Sequence, residues 1–121
     1  MRPPTVRAAV LAAAAFLLLP LAGAGARPPA RLQVSAREFG FALSRASTRR
    51  GPTIVQLVNY GQDDHDLALR RVDGSRVERI GIVHPGATGE LDVRLAPGRY
   101  VLWCTLADHR QHGMTATLLV R

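Results

Sequence analysis

The sequence predicts an all-β fold, a Greek-key antiparallel β-sandwich of seven or eight strands. Beyond residue 30, apolar and polar residues alternate with a period of two, as they do in half-buried strands. Turn-forming residues recur every several positions between these segments. No stretch after residue 26 has the apolar spacing of an amphipathic helix. Several short strands in about 95 residues favour two packed antiparallel sheets.

The expected strands follow one another along the chain with short turns between them. They are centred on Leu32–Val34 and Phe39–Leu43, and then span residues 53–60, 66–72, 76–83, 88–95, 99–104 and 115–120. The segments between them are rich in Gly, Pro and Asp, and Asp73-Gly74 is typical of a tight turn. Tyr100 follows Pro97-Gly98 and suits a tyrosine corner, in which the phenol bonds back to a loop. A half-buried strand residue is an equally good interpretation of Tyr100.

The first 26 residues have the pattern of a secretory signal peptide. A basic head with two arginines precedes an apolar run from Ala8 to Ala22, and small residues follow it up to Ala26. A retained membrane anchor is the alternative, but Pro20 interrupts the run, which is shorter than the roughly 20 residues of a spanning helix. We therefore expect cleavage after Ala26, export to the periplasm or another extracytoplasmic space, and no stable membrane insertion afterwards.

The remaining chain is expected to form one domain, residues 31–121, after a flexible entry at residues 27–30. It carries 14 basic and 9 acidic residues, a net charge of +5, and all its basic residues are Arg. These arginines are scattered and lack the interleaved aromatic residues of a nucleic-acid surface, so we expect no nucleic-acid partner. They are typical of solvated strand faces, although a modest positive field could also steer an acidic redox partner.

The chain has one cysteine, Cys104. Small exported domains usually contain cysteines in pairs, as disulfides. A lone cysteine leaves three interpretations: a buried inert thiol, a bond between two chains, or a metal ligand.

The loop between the last two expected strands contains three candidate metal ligands. Cys104, His109 and Met114 are spaced C-x4-H-x4-M, and one loop that folds back on itself can direct all three side chains at one point. Thiolate, imidazole and thioether groups are donors that suit copper in both of its oxidation states. His65 supplies a second imidazole just past a strand end, and loops at one end of a sandwich lie together. Taken singly, each of these residues could instead be an ordinary loop or core residue.

These motifs resemble the cupredoxins, the family of small blue copper proteins that includes plastocyanin, azurin and auracyanin. The resemblance covers essentially the whole chain after residue 26. It rests on Asn59-x5-His65-Asp66-Leu67 and on Pro97-Gly98-x-Tyr100-x3-Cys104-Thr105-x3-His109-x4-Met114. It implies a type 1 site for one Cu(I)/Cu(II) ion, with His65, Cys104 and His109 as equatorial ligands and Met114 as the weak axial ligand.

The resemblance also implies three supporting residues around the ligands. Asp66 and Thr105 stand where relatives tie the two ligand loops together, and Asp66 replaces a frequent Asn. We expect Asp66 to accept a hydrogen bond from the Thr105 hydroxyl or from a loop amide. Asn59 could pin the turn before His65, although a plain Asn at a strand end is equally plausible. The Ala107-Asp108 pair departs from the Pro-Gly that relatives often have.

Two further histidines and one tryptophan lie near these motifs. His84, in a turn, and His112, between two candidate ligands, are expected at the surface. Trp103 is expected to point away from the Cys104 side of its strand and to pack.

The expected function is one-electron transfer between transient redox protein partners by a monomer, without catalysis. The ligand set leaves no open coordination position for a substrate, and the His109 ring edge would be the electron port. A periplasmic copper chaperone or storage protein is the alternative. A binuclear copper centre needs two cysteines, multicopper enzymes need more domains, and an adhesion sandwich would leave Cys104 unexplained.

Overall fold

The structure is a computed structural model that describes Met1, Pro4, Gly23 and residues 25–121. Most of the expected signal peptide, residues 1–26, lies outside the described residues, so its cleavage stays a prediction. Within the described part of the chain, no helix has the length and apolar character needed to cross a membrane.

The described residues form nine strands in two sheets. The strands are β1 (Ala30–Arg37), β2 (Gly40–Leu43), β3 (Ser47–Thr48), β4 (Gly51–Asn59), β5 (His65–Arg71), β6 (Val77–Val83), β7 (Thr88–Leu95), β8 (Gly98–Trp103) and β9 (Thr115–Val120). One sheet has the order β2-β1-β4-β7 and the other has the order β3-β9-β8-β5-β6. The predicted fold class, an all-β sandwich, is confirmed.

Two strand pairs are parallel, although the sequence analysis expected an antiparallel sandwich. β1 pairs with β4 and β3 pairs with β9 in parallel registers, and all the other pairs in the described sheets are antiparallel. The chain leaves the first sheet after β2 and adds the two-residue β3 to the edge of the second sheet. It then returns as β4, which runs beside β1 in the same direction. The short β3 is the one strand that was not expected from the sequence, and it raises the number of strands from eight to nine.

The core lies between the two sheets and follows the period of two. In β1, Leu32, Val34 and Ala36 are fully buried, and in β4, Val55 and Leu57 are. Leu67, Leu69, Leu102 and Leu118 cover them from the other sheet. Burial of each Leu or Val side chain contributes about 1.5–3 kcal/mol to stability relative to an exposed one.

The Tyr100 side chain forms a tyrosine corner at the start of β8. Its hydroxyl donates to the Ala96 carbonyl and accepts from the Ala96 amide, each at 3.1 Å. The residue is 7% exposed. The corner ties the β7–β8 turn to β8, the strand that ends just before Cys104.

Candidate metal centre

The four candidate ligands lie at one end of the sandwich. His65 is the first residue of β5, Cys104 follows the last residue of β8, and His109 and Met114 lie in the loop before β9. His65 and Met114 are 0% exposed, Cys104 is 1% exposed and His109 is 8% exposed. A register shift in the β5–β6 pairing, between His65 and Leu67, is a bulge of the kind that re-aims side chains beside sites.

Three of these side chains converge on one point. One ligand atom from each of His65, Cys104 and His109 lies within 4.8 Å of the other two, and they form the one such cluster found among the described residues. Cys104 Sγ is 3.5 Å from His109 Nδ1, and the two imidazole centroids are 5.1 Å apart. Met114 is buried in the same core cluster as Cys104.

Backbone hydrogen bonds hold the Cys104–Met114 loop in its folded-back form. The Cys104 amide donates to the Met114 carbonyl at 3.1 Å, which closes the loop where it leaves the two strands. The Met114 amide donates to the His109 carbonyl, and the His109 amide donates to the Leu106 carbonyl, both at 3.1 Å. The positions of three candidate ligands are therefore set by the loop backbone.

The donor groups fit a bound metal ion. His65 Nδ1 is buried and has no hydrogen-bond partner, and an unsatisfied buried polar atom costs about 1–3 kcal/mol. Burial raises the pKa of the Cys104 thiol, while the amides of Asp66 and Leu106 act against that shift by hydrogen bonding to the sulfur. Two imidazole nitrogens and a thiolate suit copper better than a hard cation that prefers oxygen ligands.

The Asp66 carboxylate connects the two segments that carry the candidate ligands. Its Oδ1 accepts from the Thr105 amide at 2.6 Å, and its Oδ2 accepts from the Thr105 hydroxyl. Asp66 follows His65 and Thr105 follows Cys104 in the chain. The structure thus places these two supporting residues in direct contact.

The Asn59 side chain organises the turn before His65. Its amide nitrogen donates to the Asp63 carbonyl at 2.7 Å and to the Val83 carbonyl at 2.9 Å. Its oxygen accepts from the Gly61 amide at 2.8 Å. Asn59 is 0% exposed, so these bonds are shielded from water.

Glu38 is a contact of the site that the sequence analysis missed. Its Oε1 lies 3.0 Å from His65 Nε2 and accepts from the amides of Gln62 at 2.8 Å and Asp63 at 2.7 Å. The hydrogen bond from the Asp63 amide is the main cause that lowers the Glu38 pKa to about 2, with smaller contributions from Gln62 and His65. No local spacing indicates this contact, because 27 residues separate Glu38 from His65.

Phe39 packs against the ligand loop, although the sequence predicted only that it lies in a strand. Its ring centroid lies 5.0 Å from that of His109 and 5.2 Å from that of His112. Phe39 is 38% exposed. The face at which His109 was expected to present its ring edge is therefore shared with Phe39.

The two other histidines are exposed and stay outside the cluster. His84 pairs with Asp64 at 2.7 Å, and His112 pairs with Asp108 at 2.8 Å. Trp103 lies under the Arg110 guanidinium, whose carbon is 4.9 Å from the ring centroid.

No protein-family model matches the chain, and no curated protein matches its sequence. Solved structures do resemble it. An auracyanin from Roseiflexus castenholzii, reduced with Na-dithionite, has a TM-score of 0.62 and 16% identity over 75% of this chain and 96% of its own. Auracyanin A from Chloroflexus aurantiacus, described as a "blue" copper protein, has a TM-score of 0.63 and 15% identity over 78% of this chain and 100% of its own.

An oxidised amicyanin variant has a TM-score of 0.55 and 14% identity, over 75% of this chain and 82% of its own. At such identities the likeness establishes the fold. The described part of this chain is therefore a β-sandwich of the cupredoxin type, the fold of the auracyanins and of amicyanin.

Proposed function

We propose that this chain is an exported mononuclear type 1 copper protein that carries one electron at a time between redox partners. The convergence of His65, Cys104 and His109 within 4.8 Å, at less than 10% exposure each, is the observation that carries the proposal. The similarity to auracyanins and amicyanin supports it at the level of the fold.

In the proposed site each ligand has a defined part. Cys104 would bind as the thiolate, and His65 and His109 would bind through Nδ1, since Nε2 of His65 is hydrogen-bonded to Glu38 and Nδ1 of His109 faces the sulfur. Met114 would contribute its thioether as a weak fourth ligand. A bound copper ion would supply the Cu(II)/Cu(I) couple.

Electron transfer, rather than catalysis, follows from how the ligands are held. Hydrogen bonds of the loop backbone and of the Asp66–Thr105 contact hold the donors in place, so a change of oxidation state needs little movement. The buried ligand set leaves no open position for a substrate. Weak redox encounters use small interfaces, so we propose a monomer with transient partners that approach the face shared by His109 and Phe39.

The copper chaperone alternative is less well supported. A delivery site must hand its ion to a partner, which requires accessible ligands. Here His65, Cys104 and Met114 are each at most 1% exposed, which favours retention of the ion.

The visible spectrum of the purified protein loaded with Cu(II) tests the proposal. We expect an intense thiolate-to-copper band that bleaches reversibly on reduction and is absent from Cys104→Ser. His84→Ala is the matched control, because His84 is an exposed histidine outside the cluster, and it should keep the band. A wild-type product without the band, or a band that survives in Cys104→Ser, would overturn the proposal.

Export is tested separately. Residues 1–26 are proposed to be removed after Ala26, so the mass of the protein recovered from the periplasm should correspond to a chain that begins at Arg27. Recovery of the uncleaved chain from the membrane fraction would instead support the anchor.

A further inference from the structure

The turn between β1 and β2 contacts both segments that carry the candidate histidine ligands. Glu38 reaches His65 and the turn before it, while Phe39 packs on His109. The two contacting residues are neighbours in the chain. This turn is therefore part of the surroundings of the site and not a remote hairpin end.

The position of the Glu38 carboxylate is well defined. One oxygen, Oε1, accepts from two backbone amides and lies at hydrogen-bond distance from His65 Nε2. A Cβ atom at Gly61 would lie only 2.8 Å from Glu38 Cδ, a distance that real Cβ atoms essentially never show. A glycine at position 61 thus leaves the space that this carboxylate occupies.

The contact selects one form of the His65 imidazole. The Glu38 carboxylate accepts a hydrogen bond from a proton on Nε2, so this contact favours the tautomer whose Nδ1 has a free lone pair. Nδ1 is the buried nitrogen that has no hydrogen-bond partner. An acceptor on the far nitrogen of a metal-bound histidine also fixes the ring orientation and raises the basicity of the ligand.

We propose that Glu38 is a positioning residue of the copper site, which orients His65 for binding through Nδ1 and stabilises the oxidised state of the bound ion. This inference rests on the proposed function. The carboxylate side chain is 28% exposed, and its two amide donors keep it aligned with the imidazole. Its negative charge near the metal favours the more positive oxidised state.

Two substitutions separate the charge of Glu38 from its geometry. Glu38→Gln keeps the shape and an acceptor oxygen, but loses the charge. We expect its Cu(II) affinity to fall about tenfold relative to its Cu(I) affinity, which raises the reduction potential by about 59 mV for one electron. The thiolate-to-copper band should be retained. Glu38→Ala should shift the potential in the same direction and also change the band intensity and the EPR spectrum, because the ring orientation is no longer fixed.

Asp64→Asn is the matched control for the loss of charge. Asp64 lies in the same turn as the two amides, but its carboxylate pairs with the exposed His84. We expect its potential to stay close to that of the wild type. An unchanged potential and affinity ratio in Glu38→Gln, or an equal shift in Asp64→Asn, would overturn the inference while the wild-type protein still binds copper.

A measurement on the unsubstituted, metal-free protein tests the same contact without relying on a variant that folds. The ¹⁵N chemical shifts of His65 should show the tautomer with its proton on Nε2. A proton on Nδ1 would overturn the inference. Absence of copper binding by the wild-type protein would instead overturn the proposed function, and the inferred role of Glu38 with it.

Discussion

The Asp66 carboxylate accepts two hydrogen bonds from one residue, Thr105, which lies 39 positions away in the chain. Because Asp66 follows His65 and Thr105 follows Cys104, this contact links two candidate ligands, one at the start of β5 and the other just after β8. Asp66 is only 8% exposed, so its charge is poorly screened by water.

Asp66→Asn should raise the reduction potential of the copper-loaded protein. The substitution removes a negative charge beside the proposed site, and that charge favours the oxidised state. Hydrogen bonds to charged groups contribute about 1.5–3 kcal/mol, so we also expect a stability loss of about 2 kcal/mol in urea denaturation. Asp92→Asn, at an exposed position of β7, is the control. A lower potential in Asp66→Asn, or the same shift in both variants, would contradict this prediction.

Asn59→Asp should destabilise the fold by about 3 kcal/mol or more. The buried side chain would lose its two donated hydrogen bonds and place a carboxylate against the carbonyls of Asp63 and Val83. Urea denaturation measures the loss. Gln111→Glu makes the same chemical change at an exposed position and should leave stability within 0.5 kcal/mol, roughly the usual range for surface substitutions. Equal effects in the two variants would show that the Asn59 bonds contribute nothing specific.

Tyr100→Phe should lower the free energy of unfolding by about 2 kcal/mol, because both hydrogen bonds to Ala96 are lost. The copper spectrum should not change, since the Tyr100 hydroxyl bonds to Ala96 in the β7–β8 turn, whereas Cys104 follows the other end of β8. Tyr60→Phe removes a hydroxyl from a residue that is 51% exposed and should have little effect on stability. If Tyr100→Phe and Tyr60→Phe were equally stable, the hydrogen bonds of the tyrosine corner would contribute nothing to stability.

The Glu38 pKa predicts how stability depends on pH. Folding lowers this pKa from 4.5 to about 2, so the folded state favours the ionised carboxylate. The resulting stabilisation is complete above about pH 4.5 and is lost as the pH falls towards 2. In the metal-free protein, the stability difference between wild type and Glu38→Gln should therefore shrink as the pH falls from about 4.5 to 2. Urea denaturation at each pH measures this difference, and one that is equal at pH 2 and pH 7 would contradict it.

Gly61→Ala should displace the Glu38 carboxylate. The added Cβ would lie 2.8 Å from Glu38 Cδ, so the carboxylate must move and give up hydrogen bonds that it accepts from the Gln62 and Asp63 amides. We expect lower stability and a rise in reduction potential in the same direction as for Glu38→Gln. Gly40→Ala, in the β1–β2 hairpin that carries Glu38, is the control, because a Cβ there meets no atom within 4 Å. If Gly61→Ala kept the reduction potential of the wild type, the potential would not depend on the position of the Glu38 carboxylate.

Much of the fold could be predicted from the sequence because alternating burial is a local property. The inward residues of β1 and β4, such as Leu32, Val34 and Leu57, recur with the side-chain period of two that indicates a strand. The two-residue β3 is too short to have a period, and its parallel pairing with β9 depends on where the chain returns. Whether two neighbouring strands pair in parallel or antiparallel is not indicated by any comparable local pattern in the sequence.

The candidate site divides in the same way. Cys104, His109 and Met114 lie within eleven residues of one loop, so their spacing alone made them candidates for a common site. Tertiary structure decided what surrounds them: the approach of His65, the Asp66–Thr105 contact and the bond from Glu38. Local sequence patterns indicated every strand except β3, together with the chemical types of the donors. Only the packing of the two sheets brought Glu38 to the far nitrogen of His65, because that contact joins the β1–β2 turn of one sheet to β5 of the other and no local pattern in the chain indicates it.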